Sequence, residues 1–176
     1  MPDFPGFLQV PMALLSTYDK AHGGAWGLGG MSSGGVWPAA NRALYVSVLV
    51  ENPVVVTQMA VWVTVQSGNL DVGIYSETGT RLVSAGSTVV GAAAAIQAIN
   101  IADTLLAPGV YFLAMCVDNT TAAFQRTAAG NAGIYSNFGV QQQAVGAVTL
   151  PATATFATPA SAYCPAVIAT VMSAVI

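Results

Sequence analysis

The chain has 176 residues and almost no charge: 4 Lys or Arg, 7 Asp or Glu, 6% of the total, for a formal net charge of −3. Typical soluble domains carry about 25% charged residues, and four scattered basic residues cannot form the footprint that nucleic acid or an anionic membrane requires. Its 55% apolar content is the reverse of the disordered signature, and at this length one domain with a full core is expected.

The first forty residues differ from the rest. "MPDFPGFLQVPMALLSTYDK" opens with Asp3 and prolines instead of a basic region followed by an apolar run, so it does not read as a signal peptide. Pro2, Pro5 and Pro11 favour extended backbone. "GGAWGLGGMSSGGVWPAAN", from Gly23 to Asn41, is rich in glycine and holds Trp26 and Trp37. Glycine weakens helices and strands alike. Residues 1–40 therefore read as an arm lying on other surfaces, ahead of a domain over residues 41–176.

Strand signals begin at Arg42. In "RALYVSVLVE" Leu44, Val46, Val48 and Val50 share one face. "ENP" turns the chain into "VVVTQMAVWVTVQ", Val54 to Gln66, a β-branched and aromatic run. There Val55, Met59, Val61, Val63 and Val65 share a face interrupted at Thr57, and Trp62 lies on the other. "NLDVGIYSETGTRLVSAG" reads as a hairpin: Leu70, Val72 and Ile74 alternate with Asp71, Gly73 and Tyr75. "ETGT" fits a type I turn with Gly79 in the left-handed region.

Ala92 to Ala95 favour helix by propensity, but Gly91 and the β-branched flanks oppose it, so "AIQAINI" reads as a strand. "LAPG" is a turn. "VYFLAMCV", Val110 to Val117, is apolar on both faces, as a central strand should be. Further strands are expected at Ala122 to Arg126, Ala132 to Phe138, Val145 to Thr149 and Ala166 to Val175. Gln141 to Gln143 and the stretch from Thr149 to Ser161 supply polarity without charge. The C-terminal "AYCPAVIATVMSAVI" contains Pro165, Thr170 and Ser173. It is shorter than the roughly 18 apolar residues of a membrane span, so no membrane insertion is expected. Short strands with regular turn signals predict an all-β fold: a single antiparallel β-sandwich, jelly-roll-like, with a Gly-rich N-terminal arm.

"NLDVGIYSETGTRLVSAGST" followed by "IADTLLAPGVYFLAMCVDNTT" resembles a group of β-sandwich proteins encoded in tailed-bacteriophage genomes, often among virion and tail genes. Their pattern is a "DVGIY…G.RLVS.GS" hairpin, a "…LAPG.YYLAL" strand and "DNTT". The likeness spans about Asn41 to Thr127. Its residues are core and turn positions, which speak to a fold more than to an activity. The resemblance implies a structural role in the virion, on the tail or the capsid surface, and brings no catalytic residues with it.

No chemistry-bearing constellation stands out. His22 is the single histidine, in "YDKAHGG", with Asp19 near it but no nucleophile motif. One histidine with Cys116 and Cys164 gives no zinc spacing. Cys116 reads as a buried thiol in a strand, with a Cys116–Cys164 disulfide left open. Among the acids, Glu51 and Glu77 sit at turns and Asp71 at an outward strand position, all read as solvated. Asp118-Asn119-Thr120 could offer oxygens to calcium, without a supporting repeat. The glycine-rich stretch lacks a phosphate loop's Lys-Ser/Thr ending. Neither cofactor nor metal is expected, and no catalytic residue is assigned.

Taken together, these readings lead to a non-enzymatic virion component, a tail or tail-fibre protein forming a symmetric homo-oligomer, trimer first, against other virion proteins. Trp26, Trp37 and the C-terminal Val167, Ile168, Val171 and Met172 are the expected contact residues. One alternative is a decoration protein clamping a capsid. Another is a carbohydrate-binding sandwich holding host surface glycan on Trp26, Trp37, Tyr75 or Tyr135.

Overall fold

The computed structural model describes residues 14–16, 32–127 and 139–173. Trp26, His22, Asp3, Asp19, Tyr135 and the strand expected at residues 132–138 lie outside the described residues, as do the side chains of Val171 and Met172. In chain order the strands are β1 (Leu14–Ser16), β2 (Ser32–Val36), β3 (Arg42–Val50), β4 (Val54–Val65), β5 (Asn69–Ser76), β6 (Arg81–Ser84), β7 (Thr88–Val89), β8 (Ala95–Leu106), β9 (Gly109–Val117), β10 (Ala123–Thr127), β11 (Val140–Ala144), β12 (Cys164–Pro165) and β13 (Val167–Ser173). The described residues contain no helix, hence none long and apolar enough to cross a membrane.

The strands form two antiparallel sheets, a β-sandwich. The first runs β1-β13-β4-β10-β12, with β2 also paired to β10 and β8 to β4. The second runs β11-β3-β9-β5-β6, with β7 also paired to β5. Between them lies a core that includes Leu44, Val61, Leu70, Ile74, Leu113, Met115 and Phe124. Each comes from the inward positions of a period-two pattern, because successive strand residues point to opposite faces.

The hairpin follows its sequence signal. β5 and β6 pair from Gly73↔Ser84 to Tyr75↔Arg81. Gly79 takes φ +85° and its N–H donates to the Ser76 carbonyl at 3.0 Å, a conformation that strains any residue with a Cβ. β9 is central, between β3 and β5.

Four expectations need correction. In β4 the register slips between Val56 and Gln58. The bulge passes the inward role to Val56, and Val55 is only half-buried while Val65 is exposed. Residues 145–149 form no strand; the strand is β11, carrying the three glutamines, which pairs with β3 from Val140↔Val46 to Ala144↔Arg42. An edge strand tolerates that polarity: Gln142 Oε1 accepts from Arg42 Nη1 at 3.2 Å and Gln143 Oε1 from the Tyr45 hydroxyl at 3.0 Å. Residues 1–40 are not wholly an arm, because β1 pairs with β13 and β2 with β10. Finally, the stretch read as polar cover is a third layer. Residues 145–157 strap the outer face of the second sheet, where Tyr45, Tyr75, Phe112, Cys116 and Leu150 make a second apolar cluster with Phe156. This explains why β9 is buried on both faces from Phe112 onward.

Candidate functional site

Trp37 is not a contact residue held out for a neighbour. It is fully buried. Its ring packs edge-on against Phe124 (centroids 6.0 Å apart, planes at 84°) and Tyr163 (5.3 Å, 68°). Its Nε1–H donates to the Arg42 carbonyl at 2.9 Å, and its backbone N–H to the Ala122 carbonyl at 3.0 Å. The bond from Trp37 to Ala122 continues the β2–β10 pairing beyond Val36↔Ala123, and this carries the indole into the sandwich. Val167 is buried too, against the core. Ile168 is half-buried and Tyr75 fully buried.

The outward position of Asp71 on β5 is not solvated: the strap covers it and its exposure is 0%. Oδ2 accepts from the Leu150 N–H at 2.9 Å and the Ser84 hydroxyl at 3.2 Å, while Oδ1 has no hydrogen-bond partner. Burial pushes this carboxyl above its ordinary range, although the hydrogen bonds from Leu150, Ser84 and Gly86 and the Arg81 charge pull the other way. Arg81 Nη1 also donates to the Leu150 carbonyl, and the Tyr75 hydroxyl to the Pro151 carbonyl. Burial lifts the Tyr75 phenol to about 12 and raises the Tyr45 phenol as well. These groups hold the strap. The strap closes over the Asp71 carboxyl, and burial under it is the largest cause of the raised pKa.

Asp118 is spent locally. Its two oxygens take the Asn69 N–H at 3.0 Å, the Asn69 side-chain amide at 2.8 Å and the Asn119 side-chain amide at 2.6 Å. Partial burial acts to raise its pKa, but these donors outweigh it and the net shift is downward. Asn119 Oδ1 in turn accepts from the N–H groups of Thr121 and Ala122, each at 2.8 Å. The "DNT" stretch is thus an Asx-type turn whose oxygens already face donors. Among the described residues no group of three or more His, Cys, Asp or Glu could hold a metal ion. Cys116 and Cys164 are both buried and are not joined to each other by a disulfide, which answers the open disulfide question. Glu51, Glu77 and Asp103 are exposed.

What remains is a surface. On the outer face of the first sheet, Trp62 (42% exposed) sits opposite Ile96 (60%). Ala60 follows between Ala98 and Ile168, then Gln58 between Asn100 and Thr170, with the Gln58 amide donating to Asn100 Oδ1 at 2.7 Å. Val55 opposite Leu105 (66% exposed) closes the row. Asp103 is the single charged side chain on β4, β8 and β13. β8 is the outermost of these three, and no described strand pairs with its other side. Sequence reading placed Trp62 on the outer face but did not select it as a contact, because its neighbours come from strands distant in the chain. No protein-family model, curated protein or solved structure matches the chain.

Proposed function

We propose that the chain is a non-enzymatic structural protein of a tailed-bacteriophage virion, a tail or tail-fibre component built into a symmetric homo-oligomer among other virion proteins. The observation that carries this reading is the outer face of the first sheet: apolar side chains from Trp62, Ile96 and Leu105 exposed on strands with one charge among them. An obligate subunit interface has this character, more apolar than a transient one, and an apolar face of this kind marks an interaction site. The hairpin and "LAPG" resemblance supplies the virion context. The glycan-binding alternative loses two of its four aromatics, since Trp37 and Tyr75 are buried.

The mass of the full chain in solution, by light scattering behind a sizing column over a dilution series, tests the assembly. A discrete multiple of 17.8 kDa that persists on dilution is expected. A monomer at every concentration would overturn the obligate oligomer.

A further inference from the structure

We infer that β8 is where two copies join, edge to edge and antiparallel about a two-fold axis through Ala98; this deepens the homo-oligomer reading above and rests on it. Stable proteins protect long sheet edges with charge, proline, bulges or a covering element. The first seven residues of β8, "AIQAINI" (95–101), carry no charge or proline, and among the described residues only the Gln97 side chain reaches a flanking segment, donating to the Val89 carbonyl at 2.9 Å and accepting from the Gly91 N–H at 2.8 Å. They pair regularly with β4, from Ala95↔Val63 to Asn100↔Gln58, and no described strand pairs with their other side. The irregularity and the charge come after Asn100, at the register shift that precedes Thr104 and at Asp103. One half of the edge is therefore guarded and the other is left open.

A second copy of the same strand is the occupant that fits. The open half carries no charge with which to select a foreign partner. Two-fold pairing consumes both open edges at once and leaves none to propagate, whereas head-to-tail pairing would extend without end. Pairing all seven residues puts Ala98 on the axis, Ile96 opposite Asn100 of the other copy, and Ala95 opposite Ile101. The small side chain at the axis lets the strands approach. Each Asp103 then lies five residues from the axis, so the two carboxylates are about 34 Å apart along the strands. Trp62 and Ile96 of each copy join one continuous outer face, which adds apolar contact to the backbone bonds.

The test is cross-linking by position. Residues opposite each other in an antiparallel pair have Cα atoms about 4.5–5.5 Å apart, within disulfide reach. Ala98 is exposed, and the native cysteines are buried. Under mild oxidation Ala98→Cys should convert almost completely to a covalent dimer. Asn100→Cys and Gly146→Cys, the latter in open space, should not. Ala98→Lys, placing two ammonium groups side by side at the axis, should halve the mass by light scattering with an unchanged circular dichroism spectrum. A wild-type oligomer that keeps its mass in Ala98→Lys, or that cross-links no better at 98 than at 146, overturns this pairing while leaving assembly standing. A particle with three-fold symmetry alone does the same. A monomeric wild type overturns both.

Discussion

Replacing Trp37 distinguishes a core residue from a contact residue. Trp37→Ala empties a fully buried site, and such truncations cost about 3–5 kcal/mol. Here the indole also gives up two edge-on ring contacts and the bond to the Arg42 carbonyl. Aromatic pairs add about 0.5–1.5 kcal/mol beyond their area, which places the loss at the upper end, about 5 kcal/mol. For a chain of this size each kcal/mol moves Tm by roughly 2–4 °C, so a fall of roughly 10–20 °C is expected. Trp37→Phe keeps a ring but leaves the Arg42 carbonyl without its donor, and the loss should drop to about 1–3 kcal/mol. Thermal and urea unfolding by circular dichroism, at fixed protein concentration, reads both. Light scattering on the folded variants should show the wild-type mass. An unchanged Tm with a lowered mass would refute the reasoning and return Trp37 to an interface.

Other consequences are equally direct. Asp71 has a folded pKa above its unfolded value, so its stabilising contribution is fully present below the unfolded pKa of about 3.9 and is lost as pH rises through the folded value. The Tm advantage of wild type over Asp71→Asn should therefore be larger at pH 4 than at pH 7, and an advantage that grows toward neutral pH would contradict the burial argument. Gly73→Ala should destabilise by about 1–3 kcal/mol in urea unfolding, because its Cβ would meet the Val83 carbonyl oxygen at 2.6 Å and the Leu150 side chain at 3.0 Å. Burial pushes the Cys116 thiol up to about 12, and Cys164 is buried as well. Both should resist thiol reagents in the folded protein and react on unfolding; fast labelling of either under native conditions would disprove that packing.

Local signals carried β3, β5, β6 and β9 of the second sheet and β4, β8, β10 and β13 of the first, and failed where distant segments meet. The β5–β6 hairpin and β9 were legible because alternation and a Gly79 turn are written in contiguous residues. The strand in "AIQAINI" was legible from its β-branched flanks, though β8 runs on to Leu106. The strap was not legible. Thr149 to Ser161 looks like solvent-facing cover, and only tertiary contact shows Leu150 sealing Tyr45, Tyr75 and Asp71. For the same reason Asp71 reads as a solvated outward residue and is buried. β2 is not legible because the two glycines of "SSGGV" disfavour a strand; pairing with β10 overrides them. Trp37, placed by that pairing, was misread as surface. The exposed apolar face is half legible: Trp62 reads as pointing outward, but Ile96, Ala98 and Ile168 become its neighbours only through strand pairing.

The central claim is residence in the virion. Antibody raised against the folded chain, applied to purified particles produced from the genome that encodes it and viewed by electron microscopy, tests it most directly. The account predicts label at a fixed, repeated position on intact particles. Particles free of label, with all of the protein in the soluble fraction of the lysate, would contradict it.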